Sequence, residues 1–304
     1  MSSYPVYDGS RSRLYMRFDK ILRSAQGMAV WQDEAFILYD TGACAVYDLK
    51  SRAAKPLASF RLDSFNEGTP SADYKNHANH CMFVGTHYQG NPIPLLYVTT
   101  GAGTGADEDG YYYRLSVENI VRTGEGYQAH SVQTITYQPS DTAGTPWVAP
   151  CWGCPAFFAD TEEKALYIFS ARYRTKRGCV PEGEKNAYII TRFPLPEVEE
   201  GTMIRLSAKD IQDQFVVESD VEFTQGGQLT GGVLYYTFGC PKIGYPDRMM
   251  AFDVHEKKAL YMVDHLDEAL CGEEIECCDW YEGKLLCNTC DGGLYVLDWT
   301  KGAE

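Results

Sequence analysis

The sequence predicts an all-β fold, and within that class a five-bladed β-propeller. Short runs rich in Val, Ile, Leu, Tyr and Phe, broken by Gly, Asp, Asn and Pro, recur along the whole chain. A unit of about four such runs repeats five times, which favours a propeller over a sandwich. Helical periodicity is restricted to 116–121 and 207–213, where we expect single turns inside connecting loops.

Each repeat begins with a polar or glycine-containing step into an apolar strand and continues through two or three further strands. In chain order the predicted strands are 26–31, 35–39, 44–49 and 57–62; 76–83, 94–98, 111–115 and 132–137; 151–158, 165–172, 187–193 and 214–219; 225–229, 233–238, 249–254 and 259–264; and 273–278, 283–287 and 294–299. Five units of about 55 residues account for the chain, so we predict a single propeller domain over 1–304.

The fifth repeat is one strand short, and the N-terminal segment 13–18 can supply the missing strand. Its residues alternate between polar and apolar, as in a half-exposed strand, and no other segment near it is available as a partner. A propeller ring closes so that no long strand edge stays open. We therefore predict that this N-terminal strand forms the outer strand of the last blade.

Composition limits the classes of partner. The chain is 44% hydrophobic and 13% aromatic, which provides ample apolar surface for a packed core. Its formal net charge of −15 argues against nucleic-acid binding, because contacts with phosphate backbones require clustered Lys and Arg. The one dense basic stretch, 172–177, is flanked by glycine and acidic residues and is typical of a solvated loop.

The N-terminal residues lack the apolar segment of a secretion signal, and no apolar run reaches the length of about 18 residues needed to cross a membrane. The sequence therefore predicts a cytoplasmic protein without a membrane role, whose 11 cysteines stay reduced. The pairs Cys151/Cys154 and Cys287/Cys290 have the C-x-x-C spacing of zinc ligands, but residues three apart on a strand point to opposite faces. We predict no metal site and no other cofactor.

The segments that lead into the five innermost strands should converge at one end of the central channel, although they are far apart in the sequence. Ligand sites are concave and combine a few polar groups with aromatic side chains. The predicted ligand-binding residues in these segments are Gln26, Asn79, His80, Trp147, Trp152, Gln225, Gln228 and Glu273. The competing structural interpretation is that such side chains satisfy backbone groups near the axis.

Glu276 and His77 are the candidate catalytic residues. A carboxylate at a narrow channel opening beside Trp152 would be desolvated, which raises its pKa toward neutrality and suits a general acid or base. Glu273 and His80 are the alternatives for the same two roles. A glycosidase would need a second carboxylic acid from another blade, and the other segments offer amides, histidines and tryptophans instead.

Short motifs give two resemblances. Gln26-Gly27, Asn76-His77-Ala78-Asn79 and Gln225-Gly226-Gly227 together resemble a group of uncharacterised bacterial five-bladed propeller proteins. The chain is also similar to five-bladed glutaminyl cyclotransferases in Gln26-Gly27, Trp152-Gly153, and Glu274-Ile275-Glu276 followed by Gly283-Lys284-Leu285. That family's Phe-Thr-Gln-Gly motif is matched by Phe223-Thr224-Gln225-Gly226 in a different blade, and its Glu-Gly-Trp-Gly step is absent.

Three functions remain open at this stage. The first is a binding protein whose channel opening holds a small polar ligand such as a sugar or a peptide end. The second is an enzyme that uses Glu276 and a histidine for proton transfer, with the chemistry of a glutaminyl cyclotransferase or a lyase. The third is a protein-interaction scaffold that uses an exposed loop face such as Tyr111-Tyr112-Tyr113. Of the three functions, the polar residues at the starts of the inner strands favour ligand binding.

Overall fold

The computed structural model describes residues 4–66, 78–100, 113–137, 142–148, 152–173 and 180–301. In this part of the chain the β-strands form five sheets, and these are the five blades of a propeller. The chain begins with two short strands, β1 (Val6–Asp8) and β2 (Arg13–Arg17), before the first blade starts. The predicted fold class is confirmed.

Blades 1 to 3 follow in chain order, each built mainly from antiparallel neighbours. Blade 1 contains β3 (Ala25–Trp31), β4 (Glu34–Tyr39), β5 (Ala43–Asp48) and β6 (Ala58–Arg61). Blade 2 contains β7 (His80–His87), β8 (Pro94–Thr100), β9 (Tyr113–Thr123) and β10 (Gly126–Tyr137). Blade 3 contains β11 (Trp152–Asp160), β12 (Ala165–Ala171), β13 (Ala187–Pro194) and β15 (Asp213–Glu218), while β14 (Thr202–Leu206) leaves it to pair in parallel with β10 of blade 2.

Blades 4 and 5 are joined to the two ends of the chain. Blade 4 contains β16 (Thr224–Thr230), β17 (Val233–Cys240), β18 (Tyr245–Asp253) and β19 (Lys258–Asp264), extended by β1 and by β23 (Thr300–Lys301). Blade 5 contains β20 (Ile275–Tyr281), β21 (Lys284–Thr289) and β22 (Gly293–Val296), with β2 as its outer strand. The only α-helix in the described ranges is the four-residue α1 (Leu266–Ala269), and no described helix has the length and apolarity of a membrane span.

The ring closes in two ways. Along the axis, the inner strands β3, β7, β11, β16 and β20 each contact the next one, and β20 contacts β3. At the outside, β2 pairs antiparallel with β22, which confirms the predicted closing strand. The structure adds a second closure that the sequence did not predict, because β1 pairs in parallel with β19 of blade 4 before the chain crosses to blade 5.

The core lies between the blades, since both faces of each blade pack against a neighbour. The rings of Phe169 in blade 3 and Tyr236 in blade 4 stack with centroids 3.9 Å apart and an interplanar angle of 19°. Both side chains are fully buried, and burial of a large apolar side chain contributes about 1.5–3 kcal/mol. Packing of this kind around the ring fixes the positions of the inner strands.

One predicted element was wrong. Residues 116–121 form no turn but lie inside β9, which pairs with β10 along its whole length. Val117 and Ile120 are both fully buried, and their spacing of three residues suggested a helical period. The alternation typical of strands is lost here because both faces of the blade are covered. By contrast, 207–213 contains the expected single turn, a 3-10 helix at Ala208–Asp210.

Candidate ligand site at the channel mouth

The propeller topology brings equivalent residues of the inner strands together at one end of the channel. Gln26, Gln225 and Glu276 are each the second residue of a seven-residue inner strand, and Asn79 directly precedes β7. A register shift follows the start of β3, β16 and β20, so each of these strands bulges near that residue. We call the end of the channel lined by Asn79, Gln26, Glu276 and Gln225 the channel mouth.

These four residues form an arc across four blades, as the contacts between their neighbours show. The Gly27 N–H donates to the Ala78 carbonyl at 3.4 Å, which joins the starts of β3 and β7. The Asn288 amide donates to the Gln26 carbonyl at 2.6 Å, which joins β3 to blade 5. A Cβ on Gly226 would lie 3.0 Å from the Glu276 carbonyl oxygen, which is a tight contact, so β16 and β20 approach each other closely here.

The amides of the mouth are buried but incompletely bonded. Gln26 and Asn79 are only 4% and 3% exposed. Among the described residues, neither the Asn79 Oδ1 nor its Nδ2 has a hydrogen-bond partner, and the Gln26 Oε1 has none either, although the Gln26 Nε2 donates to Ser24 at 3.1 Å. Gln225 differs, because its Nε2 donates to the Gly239 carbonyl at 2.8 Å and to Glu274 at 2.9 Å.

Acidic side chains and a thiol complete the mouth. Glu276 is 3% exposed, and its backbone carbonyl accepts from the Thr237 hydroxyl at 3.0 Å. Burial first, and then the nearby carboxyls of Glu274, Asp40, Asp247 and Asp291, hold the pKa of Glu276 well above its usual range. The donor atoms of Glu274, Glu276 and Cys290 all lie within 4.8 Å of one another.

The basic residue Lys242 lies at the edge of this acidic group. Its Nζ donates to Asp291 at 2.5 Å and lies 3.7 Å from the Cys290 sulfur. The hydrogen bond from Lys242 lowers the pKa of Asp291, whereas burial raises the pKa of the Cys290 thiol to about 12. Lys242 therefore balances the charge of Asp291 rather than that of Glu274 or Glu276.

Deeper in the channel, a second polar group is fully bonded. We call His80, Gln228 and Asp279, with their backbone partners, the polar bridge. The Asp279 carboxylate accepts from the Val30 N–H of blade 1 at 2.7 Å and from the Gln228 amide of blade 4 at 2.6 Å. One carboxylate in blade 5 thus ties three blades together around the axis.

His80 crosses the channel from blade 2. Its Nε2 donates to the Gly227 carbonyl of blade 4 at 2.9 Å, and the Thr99 hydroxyl lies 3.2 Å from its Nδ1. Burial lowers the pKa of His80 to about 4, so the ring is neutral at pH 7. Because a neutral ring has one N–H, the Thr99 hydroxyl donates to Nδ1 while it accepts from the Phe157 N–H at 3.1 Å.

The structure separates the predicted site residues into three groups. Gln26, Asn79, Gln225 and Glu276 meet at the mouth, whereas His80 and Gln228 belong to the polar bridge, where their polar atoms bond to protein groups. Glu273 forms an ion pair with Arg17 of β2 and accepts from the Thr289 hydroxyl at 2.5 Å. Its carboxylate therefore holds the closing strand rather than facing Gln26.

The predicted aromatic residues are placed differently. Trp147 precedes Val148, whose N–H and carbonyl both bond to Gln214 on the outer strand β15 at 2.8 and 3.0 Å. It is therefore anchored at the outside of blade 3 and not beside the amides of the mouth. Trp152 is the first residue of β11, but its side chain lies outside the described part of the structure, as do His77, Tyr111 and Tyr112.

Sequence reasoning missed Asp40 and Asp291, and it considered Cys290 only as half of a C-x-x-C pair. Asp40 and Cys290 directly follow the second strand of their blades, β4 and β21, and Asp291 comes one residue later. In an antiparallel blade the end of the second strand lies beside the start of the first, so these residues face the same end of the channel. Polar residues after second strands were the signal that could have identified them.

Three solved structures are similar to this chain. The glutaminyl cyclase of Myxococcus xanthus is 13% identical over 98% of both chains, with a TM-score of 0.49. Raptor of Chaetomium thermophilum is 13% identical over 97% of this chain and 22% of its own, with a TM-score of 0.39. The Cps50 (Swd1) β-propeller domain of Myceliophteria thermophila is 8% identical over 94% of this chain and 86% of its own, with a TM-score of 0.39.

Such distant similarities carry no conclusion about activity or ligand. No protein-family model and no curated protein matches the sequence. The function has to be argued from the geometry of the mouth.

Proposed function

We propose that the channel mouth binds a small polar ligand, a sugar or the end of a peptide. The observation that carries this proposal is the set of three buried amide atoms, the Gln26 Oε1 and the Asn79 Oδ1 and Nδ2, that have no hydrogen-bond partner in the described part of the chain. A buried polar atom left without a partner costs about 1–3 kcal/mol. Native proteins rarely accept that cost unless a ligand or an ordered water completes the bond.

The chemistry of the mouth favours a ligand with several hydrogen-bond donors. Gln26 offers an acceptor oxygen, and the carboxyl groups of Glu274 and Glu276 offer more. Asn79 offers both an acceptor and a donor. Sugar hydroxyls, or the amine and amide groups of a peptide end, match this set, whereas an anion would be repelled by the surrounding carboxylates.

The acid–base alternative has less support among the described residues. Glu276 would need a histidine close to it, but both ring nitrogens of His80 are bonded inside the polar bridge. His77, the other candidate, lies outside the described residues, so its pairing with Glu276 stays a prediction. We therefore place binding before catalysis.

The test is a thermal-shift screen of the purified protein against sugars, amino acids and short peptides, including peptides with an N-terminal glutamine. A ligand that binds only the folded state raises Tm, and at a hundredfold excess over Kd the stabilisation is about 2.7 kcal/mol. We expect a compound that raises Tm of the wild type and fails to raise Tm of Asn79→Ala and Gln26→Ala.

Gln128→Ala is the matched control, because Gln128 is an exposed amide on β10 far along the chain from either residue. A compound that stabilises the wild type, the control and both mouth variants equally would bind elsewhere and would contradict the proposal. A screen without any hit would instead favour the scaffold function.

A further inference from the structure

Glu274, Glu276 and Cys290 combine two carboxyl groups and one thiol at the edge of the mouth. Their donor atoms lie within 4.8 Å of one another, close enough for all three to contact one ion. Cys290 is only 6% exposed, and Glu274 is half-buried. The topology explains the cluster, because Glu274 directly precedes β20, Glu276 is the second residue of that strand, and β21 ends just before Cys290.

The hydrogen bonds and ion pairs of these three side chains leave room for an ion between them. Glu276 is 3% exposed, and its carboxyl group lies within 4.8 Å of the Glu274 and Cys290 ligand atoms. The side-chain bond that Glu276 accepts within the described residues, from the Thr237 hydroxyl, goes to its backbone carbonyl. In the described part of the chain no Lys or Arg forms an ion pair with Glu274 or Glu276. The unpartnered Gln26 Oε1 belongs to the neighbouring inner strand at the equivalent position. The other two members are partly bonded, since Glu274 accepts from the Gln225 amide at 2.9 Å and the Lys242 Nζ lies 3.7 Å from the Cys290 sulfur.

The surroundings add negative charge. Asp40, Asp247 and Asp291 all act on Glu276 as repelling charges. Lys242 and Lys20 are the nearby cations, and both contact Asp291, at 2.5 and 3.6 Å. A positive ion between the two glutamates and Cys290 would supply the missing compensation, since buried charges in proteins are paired or coordinate metals.

We infer that Glu274, Glu276 and Cys290 bind a divalent transition-metal ion of the zinc type at the channel mouth. Carboxylate oxygens alone would suit Mg²⁺ or Ca²⁺, but a thiolate selects a softer ion such as Zn²⁺. Three protein ligands leave the fourth tetrahedral position free, as in zinc sites that also take a small molecule. Cys290 loses its thiol proton when the ion binds.

The site does not depend on the polar ligand proposed above, because its donors are present without one. It differs from the predicted C-x-x-C pair, since Cys287 is fully buried in the packing between blades 4 and 5 while only Cys290 reaches the mouth. An ion in this position would add a Lewis-acidic contact for a hydroxyl or carbonyl oxygen of a ligand.

The experiment is a titration of chelator-treated protein with Co²⁺, followed by its absorption spectrum, and with Zn²⁺, followed by calorimetry. We expect one ion per chain and an intense near-ultraviolet thiolate-to-cobalt band that is absent in Cys290→Ser. Glu276→Gln should weaken Zn²⁺ binding by at least about tenfold, as the loss of a ligand costs no less than the loss of a supporting group. Glu274→Gln should also weaken Zn²⁺ binding by at least about tenfold. This second variant changes the half-buried ligand rather than the buried one.

Cys271→Ser and Glu282→Gln are the controls, because both residues are exposed and neither belongs to the cluster. They should leave the band and the affinity unchanged. Binding without a thiolate band, or with equal affinity in Cys290→Ser, would overturn the assignment, and so would the absence of binding to folded wild type. Repeating the ligand screen on metal-free protein separates this outcome from that of the proposed function.

Discussion

The channel mouth and the polar bridge lie only a few residues apart on the same inner strands, yet their buried polar groups differ in how completely they are hydrogen-bonded. In the bridge, Asp279 and His80 are fully buried or nearly so, and each bonds to groups in other blades. At the mouth, Asn79 is buried to the same degree, and its two amide atoms have no hydrogen-bond partner among the described residues. Burial of a polar residue therefore does not by itself indicate a ligand site in this propeller. The feature that indicates one is a buried polar atom without a hydrogen-bond partner.

The difference separates two roles for the same residue types. Gln228 and Gln26 are both glutamines of inner strands, but Gln228 donates to Asp279 at 2.6 Å while the Gln26 Oε1 has no donor among the described residues. The bridge positions stabilise the ring, and the mouth positions are available to a ligand. Substitutions in the two regions should consequently change stability in opposite directions.

The largest effect is expected at Asp279. Asp279→Leu leaves the Val30 N–H and the Gln228 amide buried without an acceptor, at about 1–3 kcal/mol for each group. We expect the free energy of unfolding at pH 7 to fall by about 3 kcal/mol or more, measured by guanidinium denaturation. Asp279→Asn keeps an acceptor oxygen and should lose less. If Asp279→Leu were as stable as the wild type, the bridge would not hold the blades together.

The next effect concerns pH and His80. The folded pKa of about 4 lies below the unfolded value near 6.5, so the unfolded chain binds more protons between these values. The contribution of His80 to stability is therefore complete above pH 6.5 and is lost as pH falls to about 4, which amounts to about 3 kcal/mol.

His80→Gln removes this titration while an amide can still donate to the Gly227 carbonyl. We expect the stability difference between wild type and His80→Gln to shrink by about 3 kcal/mol from pH 7 to pH 4. Unfolding curves of both proteins at several pH values measure it. A difference that stays constant over this range would mean that the ring is not held neutral.

The smallest effect on stability is expected at the mouth. Asn79→Leu replaces two buried amide atoms that make no bond by apolar atoms of similar volume. Such a replacement is nearly neutral or stabilising, so we expect a change between zero and a gain of about 1 kcal/mol, together with loss of ligand binding.

Gln228→Leu sharpens the contrast, because the same kind of change removes the donor to Asp279 and should cost about 2 kcal/mol. Tm values measured side by side are sufficient. A destabilisation of Asn79→Leu as large as that of Gln228→Leu would remove the distinction between the two regions.

Much of the fold and part of the mouth could be predicted from the sequence. The repeat placed the inner strands, and the unpaired alternating segment around Tyr15 identified the closing strand. Gln26 and Glu276 followed from their positions at strand starts. Asp40 and Cys290 did not, because they follow second strands, and only the antiparallel pairing brings the two kinds of position together.

The hydrogen-bond partners of the polar residues could not be predicted from the sequence. His80 and Asn79 are adjacent and both polar, but only His80 bonds across the channel to blade 4, whereas Asn79 stays at the mouth. The turn expected at 116–121 failed for a related reason, since covering both faces of a blade hides the period of two. Such outcomes depend on neighbouring blades that are distant in the sequence.

The strand β1 has a consequence for solubility. It runs in parallel along β19, with Val6 opposite Met262 and Asp8 opposite Asp264, and only the two-residue β23 pairs with its other side. Without β1, the outer edge of blade 4 would offer a row of free backbone groups to any other chain, and an open edge of that kind promotes aggregation. Strand β1 therefore protects the edge of blade 4 against self-association. Deletion of this strand should yield a protein that folds but aggregates as its concentration rises.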